Sequence, residues 1–322
     1  MALPRDGVER FGDRLAALAL VRPKQPEALP IRITRNRVYI IPTGFGLFLS
    51  AVLAVLLLGA LNYNNNPALL LVFLVAAVAH NSLVQAHLLL SGIELKSVQA
   101  DPVHAGQTLT LRLLFEAQGQ RRRQGLELLL HEARVAFDLP VAGDIEATLP
   151  VPSTRRGWQD IGRLRLSTLR PLGLALAWSW LRPNTRVLVY PAPETDYVPF
   201  PEASTGDDVQ RTRQHGEQPH HLRDYRTGDS PRQIAWKTSA RADRLLVREY
   251  EASAAHEIEF DWYSLPGLDF EMRIRRLTRW VLDAERAGAR YALKLPGEQL
   301  GPDRGPEHRH ACLRALALLG HD

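Results

Sequence analysis

Two long uncharged apolar runs constrain this chain of 322 residues more than any other feature. Residues 42–61 carry no charge over twenty positions, and a straight helix of that length is about 30 Å long, the thickness of the hydrocarbon core of a bilayer. A polar loop at 62–66 leads into a second uncharged run at 67–90, whose first residue, Pro67, suits the first turn of a helix. The pattern predicts a transmembrane helical hairpin over residues 42–90.

The second run is less apolar in its distal half, which contains His80, Asn81, Gln85 and His87. We therefore expect the second span to cover about 67–87 and its polar residues to lie near a membrane interface. A buried helix pair in a soluble core is the alternative, and the length of both runs disfavours it.

The distribution of charge predicts the orientation and excludes one class of partner. Residues 1–41 form a basic arm with eight Arg or Lys against four Asp or Glu, whereas residues 96–322 are almost neutral, with 32 against 30. No basic domain exists to cover a phosphate backbone, so nucleic acid is not an expected partner. Arg32, Arg35 and Arg37 precede the first span, and the positive-inside rule places this arm in the cytoplasm.

Two spans return the chain to the side on which it started. We therefore expect a multi-pass protein of the cytoplasmic (inner) membrane with both termini and its main domains in the cytoplasm. The single cysteine, Cys312, excludes an intramolecular disulfide and fits a reducing compartment.

Residues 91–200 predict an antiparallel β-sandwich domain. Apolar and polar residues alternate, as at Leu109, Leu111 and Leu113, and Gly, Pro or Asp interrupts the pattern every eight to twelve residues or so. Trp178 and Trp180 would share one face of a strand, where we expect core packing. The run RRRQ at 121–124 is expected to be a solvated turn.

Residues 201–322 predict a short α/β domain. Its predicted order is a strand at 256–267, a helix at 269–288, a strand at 290–297 and a helix at 306–320, and such alternation favours parallel strands. Ile274, Leu277, Val281 and Leu282 mark the apolar face of the first of these helices.

The segment 224–251, called the signature segment below, interleaves basic and acidic residues. A turn at 227–231 is expected to begin a short helix at 231–240, with a buried Trp236, and a strand is expected at 245–251. The charges favour two interpretations: Arg–carboxylate pairs that fix the local structure, or outward Arg side chains that bind a partner or ligand. The segment contains no nucleophile–His–acid arrangement, so no catalytic residue is predicted there.

The signature segment resembles domain-of-unknown-function family 58. The positions that carry the resemblance are Tyr225, Gly228, Asp229, Arg232, Ile234, Trp236, Ala240, Arg241, Leu245, Val247, Arg248 and Glu251. The resemblance implies a bacterial, membrane-anchored protein whose C-terminal part is similar to von Willebrand A domains. It also implies an association with MoxR-type AAA+ ATPases, whose genes commonly lie beside those of the family.

Von Willebrand A domains bind Mg²⁺ through a D-x-S-x-S motif, and only Asp261 matches that motif here, because Tyr263 and Leu265 replace its serines. We therefore expect a shortened von Willebrand A-like unit in which Asp261 is a degenerate metal-site position, with no bound metal. His308 and Cys312 would share a helix face, but a zinc site would need further ligands. No cofactor is predicted.

These observations predict a membrane-anchored, non-enzymatic adaptor or assembly factor that cooperates with a MoxR-type AAA+ ATPase in a cell-envelope process. Tyr225, Arg232, Trp236 and Arg241 would form its platform, with Gly228, Asp229, Arg248 and Glu251 as further signature positions. The alternative is an enzyme, such as a hydrolase, with an unrecognised site around Asp229 and Arg241. A cleft containing a carboxylate of raised pKa would favour that alternative.

Overall fold

The computed structural model describes residues 25–201 except 118, 120 and 142, together with residues 221–225, 236–242, 245–249 and 257–320. The chain divides into two compact units. Unit 1 is Met1–Val189 and unit 2 is Tyr190–Asp322.

Unit 1 consists mainly of β-strands. They are β1 (Ile31–Arg32), β2 (Tyr39–Pro42), β3 (Ile93–Ala100), β4 (Val103–His104), β5 (Thr108–Ala117), β6 (Arg123–Leu130), β7 (Ala133–Leu139), β8 (Asp144–Pro152), β9 (Gly157–Asp160), β10 (Leu164–Thr168), β11 (Ala175–Leu181) and β12 (Arg186–Tyr190). The first sheet has the order β1-β3-β5-β8 and the second β2-β11-β10-β6-β7, and both are antiparallel throughout. A third sheet has the order β4-β12-β9.

The first and second sheets contribute side chains to one hydrophobic core. Along β5 every second residue is buried, including Leu109, Leu111 and Leu113, which confirms the predicted alternation. Leu128 of β6 and Leu166 of β10 belong to the same buried cluster. Burying a leucine side chain stabilises a fold by about 2 kcal/mol, so this period-two pattern is a principal reason why the segment folds as sheets.

Two apolar helices interrupt the strands of unit 1. They are α1 (Gly44–Asn62) and α2 (Asn66–Leu90), and each is long and apolar enough to cross a membrane. Thr43 begins α1 by accepting a hydrogen bond from the Gly46 amide at 3.1 Å, and Asn65 begins α2 by accepting one from Ala68. Both helices lie close to their predicted bounds.

Both ends of this helix pair continue into the sheets of unit 1. The strand β2 ends at Pro42, two residues before α1, and pairs with β11; β3 starts at Ile93, three residues after α2, and pairs with β5. The end of α2 packs into the β core through Ala86 and Leu90. The predicted basic arm therefore contributes strands β1 and β2 to the sheets.

One buried arginine joins the end of α2 to the second sheet. Arg123 Nη1 donates to the carbonyl oxygens of Leu89 at 2.9 Å and Ser91 at 2.6 Å. A cation suits the carbonyl end of a helix. The expected solvated turn at 121–124 is thus wrong for Arg123, which is buried at the start of β6, although Arg121 and Arg122 are exposed.

Unit 2 contains an α/β segment close to the predicted order. It follows β13 (His221–Asp224), α3 (Trp236–Ala242) and β14 (Leu246–Glu249) in the chain. Its elements are β15 (Glu257–Asp261), α4 (Phe270–Arg286), β16 (Arg290–Leu295), β17 (Glu298–Asp303) and α5 (Pro306–Leu318). The strands β15 and β16 are parallel, as predicted, with α4 as the crossover. The antiparallel strand β17 was not predicted, because Gly301 and Pro302 suggest a turn.

The core of this α/β segment is aromatic. The Phe260 ring of β15 packs in a tilted arrangement against Trp280 of α4 and Tyr291 of β16, with ring centroids 5.7 and 5.8 Å apart. Ile274, Leu277 and Val281 are buried in the same cluster, whereas Leu282 is partly buried. The predicted apolar face of α4 is confirmed.

Candidate functional site

The described part of the signature segment contains a short helix and a strand that pairs with a strand ending at the start of the segment. The strands β13 (His221–Asp224) and β14 (Leu246–Glu249) pair antiparallel, with Asp224 opposite Leu246. The Tyr225 amide extends the ladder by donating to the Leu245 carbonyl at 2.9 Å. The helix α3 spans Trp236–Ala242 and lies between the strands in sequence.

A buried serine fixes α3 to the start of β14. The Leu246 amide donates to Ser239 Oγ at 2.9 Å, and Ser239 Oγ lies 3.4 Å from the Leu246 carbonyl. Ser239 and Leu246 are both 5% exposed. Since the hydroxyl serves both polar groups of Leu246, the helix and the strand are held in a defined relation.

Three large side chains remain exposed around this contact. Trp236 is 62% exposed, Leu245 is 45% exposed and Tyr225 is 37% exposed. Tyr225 and Leu245 adjoin through their backbone hydrogen bond, and Trp236 precedes Ser239 by three residues, about 4.5 Å along the helix axis. We call Tyr225, Trp236 and Leu245 the aromatic surface.

The structure corrects the expected burial of Trp236. The helix α3 contacts β14 through Ser239, and this contact leaves the Trp236 side chain in solvent. The helix was expected at 231–240 and is described at Trp236–Ala242, while the predicted strand is confirmed over Leu246–Glu249. Sequence alone favours burial for tryptophan, because its apolar area is large.

Only some of the remaining signature positions lie within the described residues. Arg241 lies in α3, and Arg248 lies in β14 opposite Leu222. Gly228, Asp229, Arg232 and Glu251, together with the predicted turn at 227–231, lie outside the described residues. The predicted Arg–carboxylate pairs of the signature segment stay a prediction.

Asp261 lies at the carboxyl end of β15, the edge at which open α/β sheets bind ligands. One of its carboxylate oxygens accepts a hydrogen bond from the Tyr263 amide at 2.9 Å, and the other lies 3.6 Å from Lys294 Nζ. The carboxylate thus begins the 3-10 helix Trp262–Ser264 and faces a cation. Among the residues that the structure describes, no three His, Cys, Asp or Glu side chains group as metal ligands.

A largely buried polar cluster in unit 2 was not predicted from the sequence. Glu285 Oε2 accepts from the Tyr291 hydroxyl at 3.3 Å and from the Gly305 amide at 3.2 Å. His308 Nε2 lies 2.9 Å from the Tyr291 carbonyl and 3.6 Å from Cys312 Sγ, so His308 and Cys312 do share a helix face. His310 lies on another side of α5, where Nδ1 pairs with the Tyr190 hydroxyl.

Burial favours the protonated forms of the tyrosine and the cysteine in this cluster. It raises the pKa of the Tyr291 hydroxyl, and it raises the pKa of the Cys312 thiol to about 12. Both groups are therefore neutral at physiological pH, and a neutral thiol is a poor nucleophile and metal ligand. The cluster joins α4, β16 and α5.

The protein thus combines two apolar helices, antiparallel sheets and a short α/β segment, and it exposes the aromatic surface. The family described as protein of unknown function DUF58 matches residues 221–270, which contain β13, α3, β14 and β15. This match confirms the resemblance to domain-of-unknown-function family 58. No curated protein matches the chain.

Proposed function

We propose that this protein is a membrane-anchored, non-enzymatic adaptor or assembly factor that binds a MoxR-type AAA+ ATPase in a cell-envelope process. The observation that carries the proposal is the aromatic surface, which exposes Trp236 within the stretch matched by DUF58. Tryptophan and tyrosine are enriched among the residues that dominate protein–protein binding energies.

The local structure supports binding without large rearrangement. The Ser239–Leu246 hydrogen bonds fix α3 against β14 before any partner arrives. A surface that is already ordered loses less conformational entropy on binding. In the proposed platform, Arg232 and Arg241 add charge-assisted contacts to the partner.

The proposed anchor is a hairpin that crosses the cytoplasmic membrane twice. The strands before α1 and after α2 both belong to the sheets of unit 1, which supports entry and exit on the same side of the bilayer. Arg32 and Arg35 are exposed and precede the first helix in sequence, and the loop that joins the helices carries no charge. The positive-inside rule then places both units in the cytoplasm, where a cytoplasmic ATPase reaches them.

The α/β segment of unit 2 is proposed to be a shortened von Willebrand A-like unit. Its parallel pair β15–β16 with the crossover α4 supports this assignment. Asp261 there has a structural role, since its carboxylate begins the 3-10 helix and faces Lys294. We therefore assign partner binding to the aromatic surface, and we propose that this binding does not need a metal ion.

The test is an affinity capture of the detergent-solubilised full chain from its own cells with a non-hydrolysable ATP analogue. The parent should retain a MoxR-type AAA+ ATPase, and Trp236→Ala should lose it. Trp158→Ala is the matched control, because Trp158 is 49% exposed in unit 1 and lies outside the aromatic surface. An Arg232→Ala, Arg241→Ala double variant tests the charged part of the platform.

Each result has a defined meaning. Loss of the ATPase in Trp236→Ala but not in Trp158→Ala supports the adaptor and locates its surface. Absence of the ATPase from the folded parent chain contradicts the proposed partner. Equal capture by the parent and Trp236→Ala contradicts the assigned surface.

A further inference from the structure

A loop of unit 1 is tied to the first turn of α1. The loop Leu169–Leu174, called the β10–β11 loop, accepts two hydrogen bonds from Thr43: Oγ1 donates to the Gly173 carbonyl at 2.7 Å, and the amide donates to the Leu174 carbonyl at 2.9 Å. A Cβ on Gly46 would lie 2.0 Å from the Leu174 carbonyl oxygen, so the two backbones are in direct contact. The height of the loop relative to α1 is fixed.

The length of α1 determines where that contact lies in a bilayer. Its 19 residues extend about 28 Å, slightly less than the roughly 30 Å of a hydrocarbon core. A crossing of the bilayer by α1 uses its full length, so its first residue, Gly44, lies at the boundary of the hydrocarbon core. The hydrogen bonds to Thr43 therefore hold Gly173 and Leu174 at the same boundary.

The composition and exposure of the loop suit that depth. Leu172 is 51% exposed and Leu169 is 38% exposed. Leu174 and Pro42 line the end of a groove of about 430 Å³ between α1 and α2, which is lined further along the helices by Leu53 and Val72. The loop is thus continuous with the surface that the two helices present to lipid.

The charge of the loop also suits a lipid surface. Its one charged residue is the exposed Arg170, whose aliphatic part lies beside Gly125 near the start of β6. Long basic side chains keep their aliphatic stems on apolar surface and direct their charge toward headgroups. Basic residues at a cytoplasmic leaflet are attracted by its anionic lipids.

We infer that the β10–β11 loop is a membrane-inserted element that places Leu169 and Leu172 in the interfacial region of the cytoplasmic leaflet. It gives unit 1 a lipid contact in addition to the two helices. Together with the Thr43 and Arg123 hydrogen bonds, this contact holds the sheets of unit 1 at the membrane surface. The inference rests on the membrane anchor of the proposed function and is independent of the ATPase.

Site-specific fluorescence in vesicles tests the inference. Single cysteines labelled with an environment-sensitive NBD probe are placed at Leu172→Cys in the loop, Phe48→Cys in α1 and Glu132→Cys in the β6–β7 turn. The register of β6 puts this turn roughly 20 Å from the end of β10. The parent chain is the labelling control, because its only cysteine, Cys312, is buried.

The full chain is reconstituted in phosphatidylcholine–phosphatidylglycerol vesicles with and without doxyl-labelled lipids. We expect the probe at 172 to show blue-shifted emission and quenching by doxyl lipid, as at 48, while the probe at 132 shows neither. Quenching at 48 but not at 172 overturns the inference and leaves the anchor intact. Quenching at neither site contradicts the anchor itself, and the inference falls with it.

Discussion

The two units of this protein expose apolar residues in different ways. On α1 and α2 of unit 1 exposed apolar side chains occur along most of the length of each helix, and only 11% of the residues in the most apolar stretch of each are buried. On the described part of the signature segment of unit 2 the exposed large apolar side chains are three: one belongs to the helix that the Ser239–Leu246 contact joins to β14, one directly precedes β14, and one is on the residue paired with the latter. Lipid is a solvent without direction, so a continuous apolar surface suits it, whereas a small ordered surface suits a specific protein partner.

The two units can be probed through different contacts. In unit 1 the sheets are joined to the apolar helices by hydrogen bonds to backbone carbonyls, from Arg123 and from Thr43. Unit 2 contains a two-pronged ion pair, Glu194–Arg276, with N–O distances of 2.6 and 2.9 Å. Substitutions that affect only one kind of contact therefore separate the behaviour of the units.

The largest effect is expected at Arg123. Arg123→Met leaves the Leu89 and Ser91 carbonyls without their charged donor, and we expect a loss of about 3 kcal/mol in the unfolding free energy of unit 1. The measurement is thermal unfolding in detergent. The neighbouring Arg122→Met is the control, since Arg122 is exposed and its replacement should change stability by no more than about 0.5 kcal/mol. Equal stability of the two variants would show that Arg123 does not join the helices to the sheet.

Gly46 tests the contact between α1 and the β10–β11 loop. A Cβ there meets the Leu174 carbonyl, so Gly46→Ala should destabilise unit 1 by about 1–3 kcal/mol. Gly59→Ala in the same helix is the matched control, because nothing lies within 4 Å of its Cβ. We expect that substitution to leave stability unchanged or to raise it by up to about 1 kcal/mol. Identical unfolding of the two variants would contradict the close approach.

Acid should destabilise unit 2 through Glu194. The hydrogen bond from Arg276 lowers the pKa of Glu194 from its ordinary value of 4.5. A lowered folded-state pKa stabilises the fold above the unfolded pKa, and this stability is lost as pH falls from about 4.5 through the folded pKa. Glu194→Gln should therefore cost about 1.5 kcal/mol at neutral pH and make unfolding less sensitive to acid.

Denaturant unfolding as a function of pH measures this effect. Glu298→Gln serves as control, since Glu298 is exposed in the same unit. If Glu194→Gln retains the acid dependence of the parent, the ion pair is not its source.

The smallest effect on stability is expected at Trp236. Because its side chain is 62% exposed, Trp236→Ala should change the unfolding free energy by no more than about 0.5 kcal/mol. Trp178→Ala, at a buried position of β11, should cost about 3–5 kcal/mol. A large destabilisation by Trp236→Ala would show that the residue supports the fold and would weaken its assignment to binding.

Patterns of apolar residues predicted much of the fold. The uncharged runs predicted α1 and α2 to within a few residues, because a helix that is able to cross a bilayer needs an unbroken apolar stretch of this length. Period two predicted β5, and the spacing of Ile274, Leu277 and Val281 predicted α4. The strand β17 was not predicted, because edge strands need little apolar content and a Gly–Pro pair, here Gly301–Pro302, is typical of a turn.

The candidate site was less predictable, since exposure depends on tertiary contacts. Nothing in the sequence around Trp236 distinguishes a core tryptophan from a surface one; the difference lies in Ser239, which takes the contact with β14. Arg123 shows the converse, because a run of arginines looks solvated until one of them meets the carbonyl end of a helix. Resemblance identified the segment, and geometry selected the residues within it.

Photo-crosslinking at position 236 in living cells tests the central claim most directly. Trp236 is replaced by the photoreactive p-benzoyl-phenylalanine, and Trp158 is replaced in the same way as the matched exposed position of unit 1. The account predicts an adduct between position 236 and a MoxR-type AAA+ ATPase, and no such adduct from position 158. Irradiation that yields no ATPase adduct at 236, or equal adducts at both positions, would contradict the claim that the aromatic surface binds this partner.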